Sequence, residues 1–189
     1  MPVNSPVPPE LPPARQLSGP YKICLVCLGN ICRSPMAEFV LRDELARAGL
    51  AGAVSVDSAG TGDWHIGERM HGPAQAELAR RGYDGSAHRA RQIQPSWLAG
   101  YDLVVAMDRA NLATLGQMDP AAQAEGRIRL LRSFDPALSG NDVYHGDVPD
   151  PYGGPASDFE LAFDLVRDGA RGLAAQLAAL PGVTAPGRA

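Results

Sequence analysis

Cys27, Arg33 and Ser34 share one short run, Cys27-Leu28-Gly29-Asn30-Ile31-Cys32-Arg33-Ser34, that also holds a flexible Gly-Asn turn and a succession of backbone N–H groups. Each part answers one need of oxyanion chemistry. A loop wrapped over the start of a helix aims its N–H groups at a bound anion, and the helix dipole favours negative charge there. Arg33 adds a planar fork that can grip two phosphate oxygens at once, which a lysine could not reproduce. The same field favours the thiolate of Cys27 over its thiol, and the thiolate is the nucleophilic form. Ser34 can donate a hydrogen bond to that sulfur and help it leave later. The spacing therefore reads as covalent attack by Cys27 on phosphorus, with Leu28, Gly29, Asn30, Ile31, Cys32 and Ser34 forming the phosphate-binding loop.

Such a loop needs a strand before it and a helix after it. Tyr21 to Cys27 is a short, mostly apolar run that stops at Gly29-Asn30, as a buried strand does before a turn. Ser34 and Pro35 read as N-cap and first helical residue, and Ala37, Val40, Leu41, Leu45 and Ala48 share one helical face before Gly49. Further strands are expected at Ala53–Ser58, Leu103–Met107 and Arg127–Leu131, and helices at Pro73–Arg81 and, more weakly, Arg109–Leu115. The last helix shows a capping box, Ser157 to Glu160, and an apolar stripe of Phe159, Phe163, Val166, Ala170, Leu173, Leu177 and Leu180. Strands alternating with helices predict an α/β fold, a central four-stranded parallel sheet covered on both faces. Ligands of such sheets bind beyond the carboxyl ends of the strands, which is where Cys27 to Arg33 falls.

The chain's 189 residues, 45% hydrophobic and 20% charged, suit one soluble domain with a sizeable core. Its net charge of -4 argues against a general nucleic-acid or anionic-membrane binder, so any bound anion must be held by local geometry. Seven of the first twenty residues are proline, a composition that cannot bury enough surface to offset ordering entropy. Residues 1–20 are expected to be a disordered tail, 21–180 the folded domain and 181–189 a flexible C-terminal tail. No apolar run marks a signal peptide and none approaches the ~18 residues of a membrane span, so a cytoplasmic, monomeric protein without membrane contact is expected. The three cysteines lie close together, with none elsewhere. That pattern forms no disulfide framework and lacks the second ligand pair of a structural zinc site, so no metal and no cofactor are expected.

Cys27 to Pro35 resembles the signature C-x-x-x-x-x-R-[S/T] of the low-molecular-weight protein tyrosine phosphatases. Further motifs of that family occur in the same order: Val56-Asp57-Ser58-Ala59-Gly60-Thr61 with Trp64, then His88-Arg89-Ala90-Arg91-Gln92, Met107-Asp108 with Asn111, and Asp150-Pro151-Tyr152. The resemblance spans nearly all of residues 21–180 and implies the three-layer α/β/α fold of the phosphotyrosine protein phosphatase I type. It implies hydrolysis of protein phosphotyrosine through a phosphocysteine, with inorganic phosphate as product. Cys27 would be the nucleophile, Arg33 the clamp, and Asp150 the general acid and then general base. Ser58 and His88 would brace the loop alongside Asn30, and Trp64 and Tyr152 would wall a slot suited to phosphotyrosine. Cys32 would be a redox partner able to form a disulfide with Cys27. One departure stands out, because many relatives carry two aromatics after the Asp-Pro pair and this chain has Tyr152 followed by Gly153-Gly154.

Each reading has a plainer competitor. Cys24 reads as an inert core residue and Cys32 also as a small packed one. Asp135, Asp142 and Asp147 compete with Asp150, although only Asp150 precedes Pro-Tyr. Trp64 and Tyr152 could be ordinary half-buried aromatics, and His65, His71 and His145 read as surface residues. An arsenate reductase on the same fold would need two further cysteines downstream, and residues 33–189 contain none after Cys32's neighbour Arg33. A non-catalytic phosphotyrosine-binding module would be expected to have lost Cys27 or Asp150. A redox sensor built on Cys27 and Cys32 could coexist with catalysis.

Overall fold

The structure, a computed structural model, describes residues 10–16, 18–138 and 140–183. Strands β1 (Tyr21–Cys27), β2 (Val54–Gly60), β3 (Leu103–Ala106) and β4 (Ile128–Leu130) form one parallel sheet in the order β2-β1-β3-β4. Between and after them run α1 (Arg33–Arg47), α2 (Gly72–Arg80), α3 (Pro95–Leu98), α4 (Arg109–Met118), α5 (Pro120–Ala124) and α6 (Ala156–Ala179), with a 3-10 turn at Leu131–Phe134. β1 is central and pairs with β2 along its whole length, from Tyr21 opposite Val54 to Cys27 opposite Gly60. Alternation along the strand feeds two cores. Ile23 and Leu25 enter one with Met36, Val40 and Leu41 of α1 and the stripe of α6, while Cys24 and Val26 enter the other with Leu98, Leu115 and Ala122. The layered α/β/α arrangement expected from the sequence is the one found.

Phe159, Phe163, Val166, Ala170, Leu173 and Leu177 of the α6 stripe are all buried, each large one stabilising by about 1.5–3 kcal/mol over exposure. Two glycines interrupt this helix at a cost of roughly 1 kcal/mol each relative to alanine. Close approach explains them. A Cβ at Gly169 would lie 2.9 Å from the Leu131 carbonyl oxygen, and one at Gly172 would overlap that of Phe134, so the 3-10 turn sits directly on the helix backbone.

Several sequence expectations need correction. Ser34 does not cap α1: the helix begins at Arg33 behind Cys32, because the Ser34 hydroxyl is turned to the Cys27 sulfur instead. The Ser157–Glu160 capping box is not made, since α6 starts after Pro155 and puts Ser157 inside its first turn, while Glu160 reaches Arg80 at 3.3 Å. Helices α3 and α5 went unread although each opens on a proline.

The tail expected through residue 20 is also corrected over its described part. Leu11 is buried, Tyr21 donates its hydroxyl to the Pro12 carbonyl at 2.9 Å, and Arg127 and Arg129 hold the carbonyls of Pro13 and Glu10. Asp102 receives the backbone N–H of both Arg15 and Lys22. Residues 10–16 thus form an arm fastened by side chains of the domain rather than by a ladder of its own. Residues 1–9 lie outside the described residues, as do 184–189, while Val183 is buried against the core.

Candidate active site

The loop between β1 and α1 lies at the carboxyl end of the central strand, where parallel topology places a ligand. The end of β2 fixes its edge. Thr61 donates to the Cys27 carbonyl and Gly62 to that of Leu28, each at 2.9 Å. Gly60 permits this contact, for a Cβ there would lie 2.7 Å from the Leu28 oxygen.

Asn30 is the hub of the loop. Its φ of 55 is left-handed, a conformation that asparagine tolerates better than most residues. The side-chain amide donates to Ser34 Oγ and Ser58 Oγ at 2.9 Å, its oxygen accepts Arg91 N at 2.9 Å, and its backbone N–H points at Cys27 Sγ at 3.2 Å. Ser58 passes its own proton to Glu38 Oε2 at 2.5 Å. The Ser34 oxygen receives from Asn30, and its single proton has two acceptors in reach, Cys27 Sγ at 3.0 Å and the Ala59 carbonyl at 3.3 Å, the sulfur being the nearer. The sulfur thus lies between the Asn30 N–H and the Ser34 hydroxyl at the mouth of the loop.

Arg33 is buried and gripped at both ends of its fork. Nη1 bonds Asp108 Oδ2 at 2.6 Å and the Val148 carbonyl at 3.1 Å, and Nη2 bonds Asp150 Oδ2 at 2.9 Å. Its Nε is buried with no hydrogen-bond partner among the described residues. Cys27, Arg33, Trp64 and Asp150 line one cavity of about 160 Å³ together with His65 and Tyr152. The rival acids lie elsewhere: Asp147 pairs with Arg109, Asp142 with Arg132, and Asp135 receives the N–H of Ala137. The fold thus brings the sequence-expected Cys27, Arg33 and Asp150 to one cavity, with Ser34, Ser58 and His88 behind it.

Trp64 and Tyr152 stand at the mouth, 68% and 57% exposed, and so are not core residues. Two histidines read as surface residues prove otherwise. His65 lines the cavity and presses on the loop, its Cδ2 3.0 Å from where a Gly29 Cβ would be, and its Nδ1 meets Glu68 at 2.8 Å. The His71 ring lies 4.8 Å from that of Tyr152, and that of His65 6.3 Å, so these rings support Tyr152 where Gly153 offers no aromatic. His145 is exposed as expected. Sequence reasoning gave no role to Asp108, Glu38, His65 or His71; for Asp108 the signal was there, since it caps α4 by accepting Asn111 N at 2.7 Å.

His88 braces the loop from behind, with Nε2 2.7 Å from the Asn30 carbonyl. A carbonyl only accepts, so Nε2 carries the proton. Burial first, and then Arg89 and Arg91, push its pKa below the ordinary 6.5, while the Asn30 bond and Glu38 pull the other way. The unfolded chain therefore binds the extra proton more readily. The stabilisation is whole above the unfolded pKa and is lost as pH falls through the lower folded value. Between about pH 7 and about pH 5, unfolding free energy from urea titrations is expected to drop more steeply for the wild type than for His88→Gln, which keeps a donor but does not titrate. Equal slopes would refute a neutral, buried His88.

Cys32 occupies the cap position of α1, buried and reduced, with its pKa pushed up to about 12 by burial and by the negative charge at Cys27 and Asp150. It remains a thiol through the physiological range. Cys24 is likewise buried and free in the opposite core.

A family model described as low molecular weight phosphotyrosine protein phosphatase matches residues 22–180. A Streptomyces coelicolor protein named low molecular weight protein-tyrosine-phosphatase is 48% identical over 155 residues, covering 82% of this chain and 92% of that protein. The Mycobacterium tuberculosis protein named low molecular weight protein-tyrosine phosphatase A is 45% identical over 157 residues, 83% of this chain and 91% of that one. The crystal structure of YfkJ from Bacillus subtilis matches with a TM-score of 0.75 at 37% identity, covering 85% of this chain and 96% of that chain.

Proposed function

The chain belongs to the low molecular weight phosphotyrosine protein phosphatase family, and from that premise we propose that Cys27 is its nucleophile, Arg33 its phosphate clamp and Asp150 its general acid and base. It is a protein tyrosine phosphatase that acts on phosphoproteins by cysteine-dependent hydrolysis. The observation that supports the residue roles best is the meeting of Cys27, Arg33 and Asp150 in one cavity, with Arg33 bridging toward the acid at 2.9 Å.

In the first step Cys27 Sγ attacks phosphorus as the aryl P–O bond breaks, and Asp150 gives its proton to the departing phenolate oxygen. Arg33, through its unpartnered Nε, and the N–H groups of Leu28 to Arg33 take up charge on the equatorial oxygens. In the second step water attacks the phosphocysteine, gives its proton to Asp150, and the S–P bond breaks to release inorganic phosphate. Ser34 donates to the returning thiolate. Trp64 and Tyr152 flank the phenyl ring, with His65 and His71 behind Tyr152. Asn30, Ser58 and His88 keep the loop in shape.

The proposal extends to a catalytic domain over residues 21–180, with the arm of residues 10–16 and Val183 packed onto it, a monomer working in the cytoplasm without cofactor, and a Cys32 that can pair with oxidised Cys27. Among the described residues no helix is long and apolar enough to cross a membrane.

Asp150→Ala is the test. The kcat/KM for phosphotyrosine peptides and other esters with poor leaving groups, which reports only the steps up to release of the phenol, is expected to fall by ~10²–10⁴, the usual worth of a general acid. The activated ester p-nitrophenyl phosphate should be spared much of that loss. If Asp150→Ala behaves like wild type while Asp147→Ala is slow, the acid is Asp147.

A further inference from the structure

We propose that Arg132 and Asp142 are the positioning pair for the general acid, a role that rests on the assignment of that acid to Asp150. The described residues between the 3-10 turn and α6 hold no helix or strand, yet they carry a group that must be placed to within an ångström. Their order has to come from side chains.

Arg132 supplies it. Its guanidinium, 5% exposed, grips the carboxylate of Asp142, 13% exposed, in both arms: Nη1 to Oδ2 at 2.8 Å and Nη2 to Oδ1 at 3.0 Å. Nη1 also donates to the Asp147 carbonyl at 3.1 Å, so one side chain ties both ends of residues 142–147. Inside that span Asp142 Oδ2 accepts Gly146 N at 2.7 Å, and Asp147 N donates to the Tyr144 carbonyl at 2.9 Å. The turn closes through left-handed His145 and Gly146, with φ of 52 and 85. Beyond it, Arg109 holds the Asp147 carboxylate, Val148 N donates to the Met107 carbonyl at 2.8 Å, and the Val148 carbonyl accepts Arg33. Only Pro149 then separates the fixed segment from Asp150.

Arg132 itself stands on a rigid base, because its turn lies against the backbone of α6 at Gly169 and Gly172. The chain of contacts runs from α6 to Arg132, to Asp142 and Asp147, and so to Asp150. Neither Arg132 nor Asp142 lines the cavity, so any effect they have on proton transfer passes through placement of the loop.

The experiment compares Asp142→Asn and Arg132→Met with wild type across aryl phosphates of rising leaving-group pKa. Both variants are expected to lose ~10–10² in kcat/KM, which reports only the steps up to release of the phenol, on the poorest leaving groups, the scale of a misplacement of about an ångström, while kcat/KM for p-nitrophenyl phosphate changes less than about threefold. Competitive inhibition by inorganic phosphate should be unchanged, because the phosphate loop is untouched. Placed on top of Asp150→Ala, either change should add nothing to the leaving-group dependence. A uniform loss of kcat/KM over all substrates, or lower thermal stability with an unaltered leaving-group slope, would overturn the positioning role. Where Arg132→Met does not fold, the isosteric Asp142→Asn decides alone. Should Asp150→Ala itself leave the slope unchanged, the acid assignment fails; should it steepen the slope while the pair variants do not, only the positioning role fails.

Discussion

Cys27→Ser is expected to lose turnover by on the order of 10⁴–10⁶, the scale of removing a nucleophile from an assembled site, while still binding inorganic phosphate. The substitution exchanges one atom in a buried position, so the loop should hold. What changes is the nucleophile. The sulfur lies beside the Asn30 N–H and the Ser34 hydroxyl, and a serine hydroxyl in the same place is a poor nucleophile for phosphorus. The donors that hold the anion, Arg33 and the loop amides, are unaltered, so the inhibition constant for phosphate should move only a few-fold. Acid-quenched wild-type protein should carry phosphorus on the peptide containing Cys27 and nowhere else, read by mass spectrometry. Phosphorylation of another side chain during turnover would remove Cys27 from the mechanism.

Arg33→Lys should cost ~10³–10⁵ in kcat even though the charge survives, the range seen when a transition-state arginine is lost. The fork bonds Asp108, the Val148 carbonyl and Asp150 while its Nε stays unpaired. A single ammonium cannot span those partners and a phosphate together, and Asp108 would lose its partner in a largely dry setting. The change thus loosens the acid loop as well as the anion. Phosphate inhibition should weaken along with kcat, which separates this variant from Cys27→Ser. Activity within tenfold of wild type would mean that charge alone suffices and the planar geometry is not used.

The parts of this site that can be read from sequence are those in which local order and chemistry coincide. The Cys27–Ser34 run announces itself because one turn between strand and helix holds nucleophile, amides and guanidinium. The sheet is legible for a similar reason, since the apolar run at Leu103–Ala106 and the stripe of α6 have unambiguous periods. Ser34 shows where such reading fails: Ser-Pro is a good capping signal, but a tertiary partner, the Cys27 sulfur, outcompeted the helix end for the hydroxyl. His65 and His71 were missed because a histidine's surroundings are set by residues far along the chain, here Tyr152. The lock formed by Arg132 on Asp142 has no local signature at all, being an ion pair across an irregular segment. Likewise, proline content alone suggested a loose N-terminal stretch; Tyr21, Asp102 and Arg127 decide its path, and nothing in the stretch itself names them.

That arm fastens near Lys22, Asp102 and Arg127, the entry ends of the strands, whereas Cys27 closes the exit end of β1. Seven residues of strand separate the two poles, roughly 20 Å. A fluorophore, a resin or a fused protein joined directly to Glu10 in place of residues 1–9 would consequently attach away from the end where substrate enters, leaving the phosphatase mouth open to large phosphoproteins while the molecule is tethered.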